Sequence, residues 1–308
     1  MKVVGLVILN AFALYYGVLL QNDQIIQMPG GLIAIEERII LDESFEVTGE
    51  LSSVFIYSMD EHTLLLRAMA QGVPGVQVID QAPAAIDLPG RELNLRGELL
   101  YETSITASLI QAFQAANMTI LTEFIGLLVV FNYNDSEIRI GEVLTMVDDI
   151  PITSLSMFVD YIEDKETIKL NEGFVISRRD DGFFGMTVME QSVILETQVG
   201  YTIISQNIQG GSGGLMQTLS LYNRLVEADI TKGYRIAGTG TMSVNGTVGP
   251  IGGIRQKVIA AAREGIDVFF VPTQDYELAL AELNQLRTSM QLIGVSTFTE
   301  AIEALENL

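Results

Sequence analysis

Gln209-Gly210-Gly211-Ser212-Gly213-Gly214-Leu215-Met216 sets four glycines around a single serine. Without side chains on either flank, the hydroxyl can be approached closely and neighbouring N–H groups can point at a bound oxyanion. Leu215, Leu219, Tyr222 and Val226 then repeat at helical spacing, which puts Ser212 at or just before a helix N-terminus. Unpaired N–H groups and the positive end of the helix dipole favour negative charge there. The same residues also suit a plain N-cap serine in a Gly-rich turn. Downstream, Gly238-Thr239-Gly240-Thr241-Met242-Ser243-Val244-Asn245-Gly246-Thr247-Val248-Gly249-Pro250-Ile251-Gly252-Gly253-Ile254-Arg255-Gln256-Lys257 predicts a strand, a Gly-rich turn and a helix. Lys257 falls one turn into that helix, which Gly265 ends, and Val268 to Val271 reads as the next strand. Ile254, Val258, Ala260 and Ala261 surround Lys257 with apolar groups, and desolvation lowers the pKa of an ammonium.

The composition removes most other chemistries. The 308 residues are 48% hydrophobic and 18% charged, a globular composition, and 17 Lys plus Arg against 39 Asp plus Glu leave a formal charge of −22. That field repels phosphate backbones, so nucleic acid is excluded as a partner. With no cysteine and a single histidine, His62, thiolate sites, cysteine nucleophiles and multi-histidine metal centres cannot be built, and neither a metal nor another cofactor is expected.

Gly210-x-Ser212-x-Gly214 satisfies the Gly-x-Ser-x-Gly elbow of α/β-hydrolases, yet no histidine follows Ser212 as that fold requires. A trypsin-like arrangement would need His62 as base; within Met59-Asp60-Glu61-His62-Thr63 that residue reads as part of a turn. No Lys-Ser or Lys-Thr follows the Gly-rich stretch at phosphate-loop spacing, and no Walker motif occurs in the chain, so ATP is not expected as a partner. The remaining conventional base for a serine hydroxyl is a lysine held neutral.

The Gly-rich serine loop, then Gly-Thr-Gly-Thr, then Val-Gly-Pro-Ile-Gly-Gly-Ile-x-x-Lys, followed by Ala-Ala-x-x-x-Gly-Ile and a strand ending in Val-Pro, resembles the proteolytic domain of Lon over roughly residues 184–308. The resemblance implies that Ser212 is the nucleophile, Lys257 the base and Thr239 the residue supporting the lysine. Gly211 and Gly213 stand where that family usually has Pro and Ala, which implies a more flexible loop.

Between Gly126 and Arg179, Gly126-Leu127-Leu128-Val129-Val130 reads as a Gly-led strand, Ile140 to Leu144 as another, and Val147 to Ile152 as an acidic turn entering a short strand. A helix over Ser154 to Ile162 and closing strands over Thr167 to Arg179 follow. This order resembles a PDZ domain. The resemblance implies that Gly126, Leu127, Leu128 and Val129 form a loop taking a peptide's terminal carboxylate.

Val3 to Leu20 carries no charge and is broken only by Gly5, Asn10 and Gly17. As a helix it would span roughly 27 Å, enough to cross a bilayer. Lys2 precedes it and no Lys or Arg follows until Arg38, so the N-terminus is expected in the cytoplasm and the remainder outside. A cleavable signal peptide is the competing reading, although Leu19-Leu20-Gln21-Asn22-Asp23-Gln24 offers no small-x-small cleavage site. Met28-Pro29-Gly30-Gly31 reads as a turn or linker, Ser53 to Tyr57 as a strand and Thr103 to Asn117 as an amphipathic helix.

The expected fold class is α+β, with an N-terminal transmembrane helix and a PDZ-like domain inserted before or within a Lon-type protease domain. The expected divisions are an anchor at 1–22, a strand-rich and helical region at 23–117 packing with the protease domain, a PDZ-like domain at 118–182 and a Lon-like proteolytic domain at 183–308. Anchor, PDZ and Lon-like protease together resemble the membrane-anchored PDZ–Lon proteases of bacteria. That resemblance implies an ATP-independent serine endopeptidase, single-pass in the cell membrane through residues 3–20, cleaving peptides or small membrane-associated proteins outside the cytoplasmic membrane. The alternative is a non-catalytic scaffold that binds peptides through its PDZ-like part. The oligomeric state is left open.

Overall fold

The computed structural model describes residues 15, 21–22, 24–59, 62–80, 90–132, 137–171, 173–204 and 209–308. The expected membrane span at 3–20 lies outside them apart from Tyr15; among the described residues no helix is long and apolar enough to cross a membrane. The chain is of mixed α+β class.

Strand β1 (Gln21–Asn22) pairs with β5 (His62–Thr63), and between them run β2 (Gln24–Ala34), β3 (Ile39–Leu41) and β4 (Glu50–Met59). The turn expected at Met28-Pro29-Gly30-Gly31 is instead the interior of β2. Pro29, which has no N–H to give, and the two glycines form a bulge where the β2–β4 register shifts between Pro29 and Leu32. A Cβ on Gly30 would collide with the Phe55 carbonyl oxygen, so only glycine passes there. His62, expected in a turn, is also corrected: it is buried, because its strand pairs with β1 and turns the ring inward. Helix α1 (Leu64–Ala70), capped by Thr63, leads to β6 (Gln77–Asp80).

Helix α2 (Gly90–Ala115) begins well before the expected Thr103. Its apolar periodicity starts only near Tyr101, because the preceding turns are largely polar. The helix ends through Asn117 in the left-handed conformation (φ 55°), with Met118 N–H donating to the Phe113 carbonyl.

Next comes β7 (Ile120–Asn132), then β8 (Val143–Leu144), and β9 (Met146–Val147) with β10 (Ile150–Pro151) as a hairpin. Its two turn residues, Asp148 and Asp149, both have positive φ, the twist a tight hairpin favours. Helix α3 (Leu155–Ile162) is capped by Ser154, whose hydroxyl accepts from Met157 N–H. Strands β11 (Thr167–Leu170), β12 (Phe174–Ser177) and β13 (Met186–Thr197) close the unit around a core including Leu127, Val129, Leu144, Phe158 and Ile168. Because β13 pairs antiparallel with β7 from Met186 to Thr197, the unit extends past the expected boundary at 182. The expected strand from Ile140 shrinks to Val143–Leu144, since Gly141 turns the chain at φ 93°.

The rest of the chain is β14 (Tyr201–Ile203), α4 (Gly214–Leu225), β15 (Arg235–Gly238), β16 (Thr241–Met242), β17 (Val248–Gly249), α5 (Ile254–Arg263), β18 (Val268–Pro272), α6 (Tyr276–Leu283), β19 (Gln291–Val295) and α7 (Phe298–Glu306). One six-stranded sheet in the order β19-β18-β15-β4-β2-β6 unites both ends of the sequence. Strands β19, β18, β15 and β4 run parallel, and β2 and β6 are antiparallel additions. The period-2 alternation of strands divides its faces. Leu51, Ile236 and Phe270 pack with residues of α2, α4 and α7, whereas Val54, Ala237 and Phe269 pack with residues of α5 and α6. Residues of the 23–117 region thus supply three strands of this sheet and the helix against which α4 packs.

Candidate functional site

Ser212 stands on the turn that enters α4, with Gly213 at the cap position and Gly210 left-handed at φ 89°. The turn is tied on two sides. Toward α2, Gly210 N–H donates to the Gly97 carbonyl at 2.8 Å, Ser104 Oγ donates to the Gly211 carbonyl at 3.2 Å, and Ser108 Oγ donates to the Gly214 carbonyl at 3.0 Å. Gly97 costs the helix about 1 kcal/mol relative to alanine. Its missing side chain is needed, because a Cβ there would meet Gln209 Cβ at 2.8 Å. Toward the sheet, the Ser212 carbonyl accepts from Gly240 N–H at 2.8 Å and from Thr239 Oγ1 at 3.0 Å, and Leu215 N–H donates to the Gly240 carbonyl at 3.1 Å. The flexibility expected from Gly211 and Gly213 is therefore opposed by bonds on both flanks.

Lys257 arrives from the opposite face of the sheet. Gly253, left-handed at φ 68°, starts α5, and one turn later the lysine is only 3% exposed. Its Nζ lies 2.9 Å from Ser212 Oγ and 2.9 Å from Thr239 Oγ1. Burial lowers its pKa from the usual lysine range to about 8, and the Asp275 carboxylate opposes that shift without cancelling it. About a tenth of the lysine is therefore neutral at pH 7, and a neutral amine can accept the serine proton.

The N–H groups of Gly211, Ser212 and Gly213 donate to no acceptor among the described residues. They gather at the N-terminus of a twelve-residue helix, where the dipole adds positive potential. A serine hydroxyl, an amine of lowered pKa and free N–H donors share one cleft of about 280 Å³. The arrangement can generate an alkoxide and stabilise the oxyanion produced when that alkoxide adds to a carbonyl.

Ser212, Thr239 and Lys257 are thus brought together, with Gly211 and Gly213 flanking the serine. His62 is not among the residues lining this cleft. Gly126, Leu127, Leu128 and Val129 are elsewhere, and their expected role as an open carboxylate-binding loop is corrected. They lie within β7, paired with β13 on one edge and with β8 or its flanking residues Gly141 and Glu142 on the other, and Leu127 and Val129 are fully buried in the core. No free N–H row is left there to receive a peptide strand.

Sequence reasoning missed Ser104 and Ser108. Their signal is present: two serines four apart on the face of an amphipathic helix that otherwise carries Ile105, Leu109 and Ala112. Arg38 and Tyr101, which also line the cleft, were missed as well.

Comparison with known sequences yields a family match over the C-terminal third of the chain. Residues 199–307 match the family described as Lon protease (S16) C-terminal proteolytic domain. Similar sequences include Lon proteases of Campylobacter jejuni (36% identical over 69 residues, 22% of this chain and 9% of the relative), Helicobacter pylori strain J99 (30% over 95 residues, 30% and 11%) and Desulfatibacillum aliphaticivorans (33% over 94 residues, 30% and 11%). The chain therefore spans about a tenth of the length of the curated relatives it matches. Ser212, Thr239 and Lys257 all fall within residues 199–307, the part of the chain that matches this family.

Proposed function

We propose that this chain is a serine peptidase using Ser212 as nucleophile and Lys257 as general base. The observation that carries the reading is the 2.9 Å contact between Lys257 Nζ and Ser212 Oγ, made by a lysine buried enough to lose its proton at a pH of about 8. Ser212 Oγ adds to the peptide carbonyl as its proton passes to Lys257. The oxyanion accepts hydrogen bonds from the free N–H groups around Ser212. Collapse breaks the C–N bond, the ammonium of Lys257 returns the proton to the departing amine, and Ser212 is left acylated. Water then attacks the ester, giving its proton to Lys257, which passes it to Ser212 Oγ as the acid leaves. Thr239 accepts from Nζ and holds the Ser212 carbonyl, so one hydroxyl positions both partners.

A fluorophosphonate should label the chain at Ser212 alone, and Ser212→Ala should abolish labelling and lower kcat by at least about 10³-fold with an unchanged melting temperature. Turnover retained in purified Ser212→Ala would overturn the dyad, and absence of labelling would favour the inert scaffold. Cleavage is proposed to be ATP-independent, on the absence of a Walker motif from these 308 residues. Addition of nucleotide should leave peptide turnover unchanged.

Membrane anchoring through residues 3–20 belongs to the same proposal, with the catalytic part outside the cytoplasmic membrane and peptides or small membrane-associated proteins as substrates. Its support is the uncharged run together with Leu64, Leu65, Leu66 and Met69 on α1, all exposed beside β1, where that run ends. The full chain should float with phosphatidylcholine vesicles in a density gradient, and a chain starting at residue 21 should float far less. The unit at 120–197 keeps its PDZ-like reading from the order of its elements, without the Gly126–Val129 peptide site.

A further inference from the structure

The cleft that holds Ser212 has an unusual charge for this chain. Although 39 of the 308 residues are Asp or Glu, none of the described residues lining it is acidic, and two, Arg38 and Lys257, are cations. Lys257 is occupied with Ser212 and Thr239. Arg38 is not occupied by any side chain: its Nη1 is buried and has no hydrogen-bond partner, and the residue takes part in no ion pair among the described residues. Tyr101, on the α2 face beside the nucleophile turn, is only 7% exposed, and its hydroxyl is likewise buried without a partner. A buried guanidinium N–H and a buried phenol left unpaired are each costly, and two of them lining one cleft imply a ligand group that satisfies both.

A carboxylate is the group that fits. It can accept from a guanidinium N–H and from a phenol O–H at once, whereas an amide or alcohol satisfies them more weakly. Burial pushes the Tyr101 hydroxyl above its ordinary pKa against the opposing pull of the nearby Arg38 charge, so the phenol stays protonated and donates. The donors sit where substrate must lie, in the cleft that holds the dyad. The repulsive field of an acidic surface would otherwise discourage acidic peptides, and a local basic pair reverses that preference inside the cleft.

Resting on the peptidase reading, we propose that Arg38 and Tyr101 form a carboxylate-binding subsite of the Ser212 cleft, selecting peptides with an Asp or Glu side chain, or a terminal carboxylate, close to the scissile bond. Both sources offer the same chemistry. A side-chain carboxylate makes the enzyme an endopeptidase with acidic preference, and a terminal carboxylate makes it one that trims peptide ends.

The test uses quenched-fluorescent peptides in pairs differing by Glu or Gln at each position around the cleaved bond, and by a free acid or an amide at the C-terminus. Cleavage by the full chain and binding to its Ser212→Ala variant are measured in parallel. The carboxylate member of one pair should be favoured by about tenfold in both kcat/KM and affinity. Arg38→Gln should bring that ratio close to one, Arg38→Lys should retain part of it, and Tyr101→Phe should reduce it by about threefold. The ratio within a pair is insensitive to a general loss of folding, which would lower both members together. A ratio of one for every pair in the wild-type chain, or a ratio that survives Arg38→Gln, would overturn the subsite. If no peptide is cleaved, the peptidase reading falls, while binding to Ser212→Ala still decides whether the carboxylate is recognised.

Discussion

Lys257→Met is expected to lose cleavage by at least about 10³-fold and yet, at pH 7, to melt about 2–4 °C above the wild type. The gain follows from the sign of the pKa shift. The folded value, about 8, is below the ordinary lysine value of 10.5 because burial penalises the charge. Between those values the unfolded chain binds a proton that the folded chain does not, so stability rises with pH across that window. The lysine's contribution is fully present above about 10.5 and is lost as pH falls through about 8. At pH 7 the folded protein therefore carries the whole cost of a buried ammonium, on the order of 3 kcal/mol. Methionine fills a similar volume without charge, and the two hydrogen bonds from Nζ that it forfeits offset about half of the gain. The difference in melting temperature should shrink through pH 8–10 and change sign by about pH 11, where the charge cost is gone and only the forfeited hydrogen bonds remain. A variant that melts below the wild type at pH 7 would show that the lysine is not a stored cost. In the wild type, kcat/KM should climb about tenfold per pH unit up to about 8 and then level, because only the neutral amine can take the serine proton. A profile flat from pH 6 to 9 would exclude Lys257 as the base.

The meeting of Ser212 with Lys257 is legible in the sequence because each residue sits in a local pattern whose backbone requirements are visible. Glycines surround Ser212, and a Gly-Gly start, an apolar stripe and Gly265 delimit the helix that carries Lys257. What it hides is the part assembled from distant residues. Ser104 and Ser108 reach the nucleophile turn from about a hundred positions upstream, and nothing in the local pattern says which helix face will meet which loop. The same limit explains the misreading of Gly126 to Val129. A glycine-led apolar run suits an open carboxylate loop and a fully paired strand equally, and only β13, some sixty residues later, decides for the strand. At Met28-Pro29-Gly30-Gly31, breaker residues suggest a turn because their usual effect is local; here a neighbouring strand accepts the irregularity as a bulge. His62 follows the same logic, since Asp60 and Glu61 make its surroundings look solvated while pairing with β1 buries it.

Gly214→Ala should cost about 10²-fold in kcat through one added methyl group that touches neither Ser212 Oγ nor Lys257 Nζ. Gly214 is the first residue of α4, and its φ is not in the left-handed region, so alanine strains no backbone torsion there. The obstacle is space: a Cβ would lie 2.7 Å from Ser104 Oγ, 2.8 Å from Met242 N and 2.9 Å from Met242 Cβ. Two of those atoms belong to the β16 strand, whose backbone cannot step aside as a flexible side chain would. The start of α4 must therefore retreat, and Ser212, two residues earlier, is carried with it while Lys257 stays on α5. A misplacement of about 1 Å at the reacting atoms is enough for a loss of this size. Stability should fall by about 1–3 kcal/mol, leaving a folded protein. Fluorophosphonate labelling would read the defect as a slower rate at full stoichiometry, and a thermal melt would show that the core survives. Gly213→Ala supplies the contrast. Its nearest neighbour beyond the adjoining residues is Ser53 Cβ at 3.5 Å, an ordinary contact, so its loss should be far smaller. Equal losses at the two positions would mean that mobility of the loop, rather than its distance from α2 and β16, governs the nucleophile.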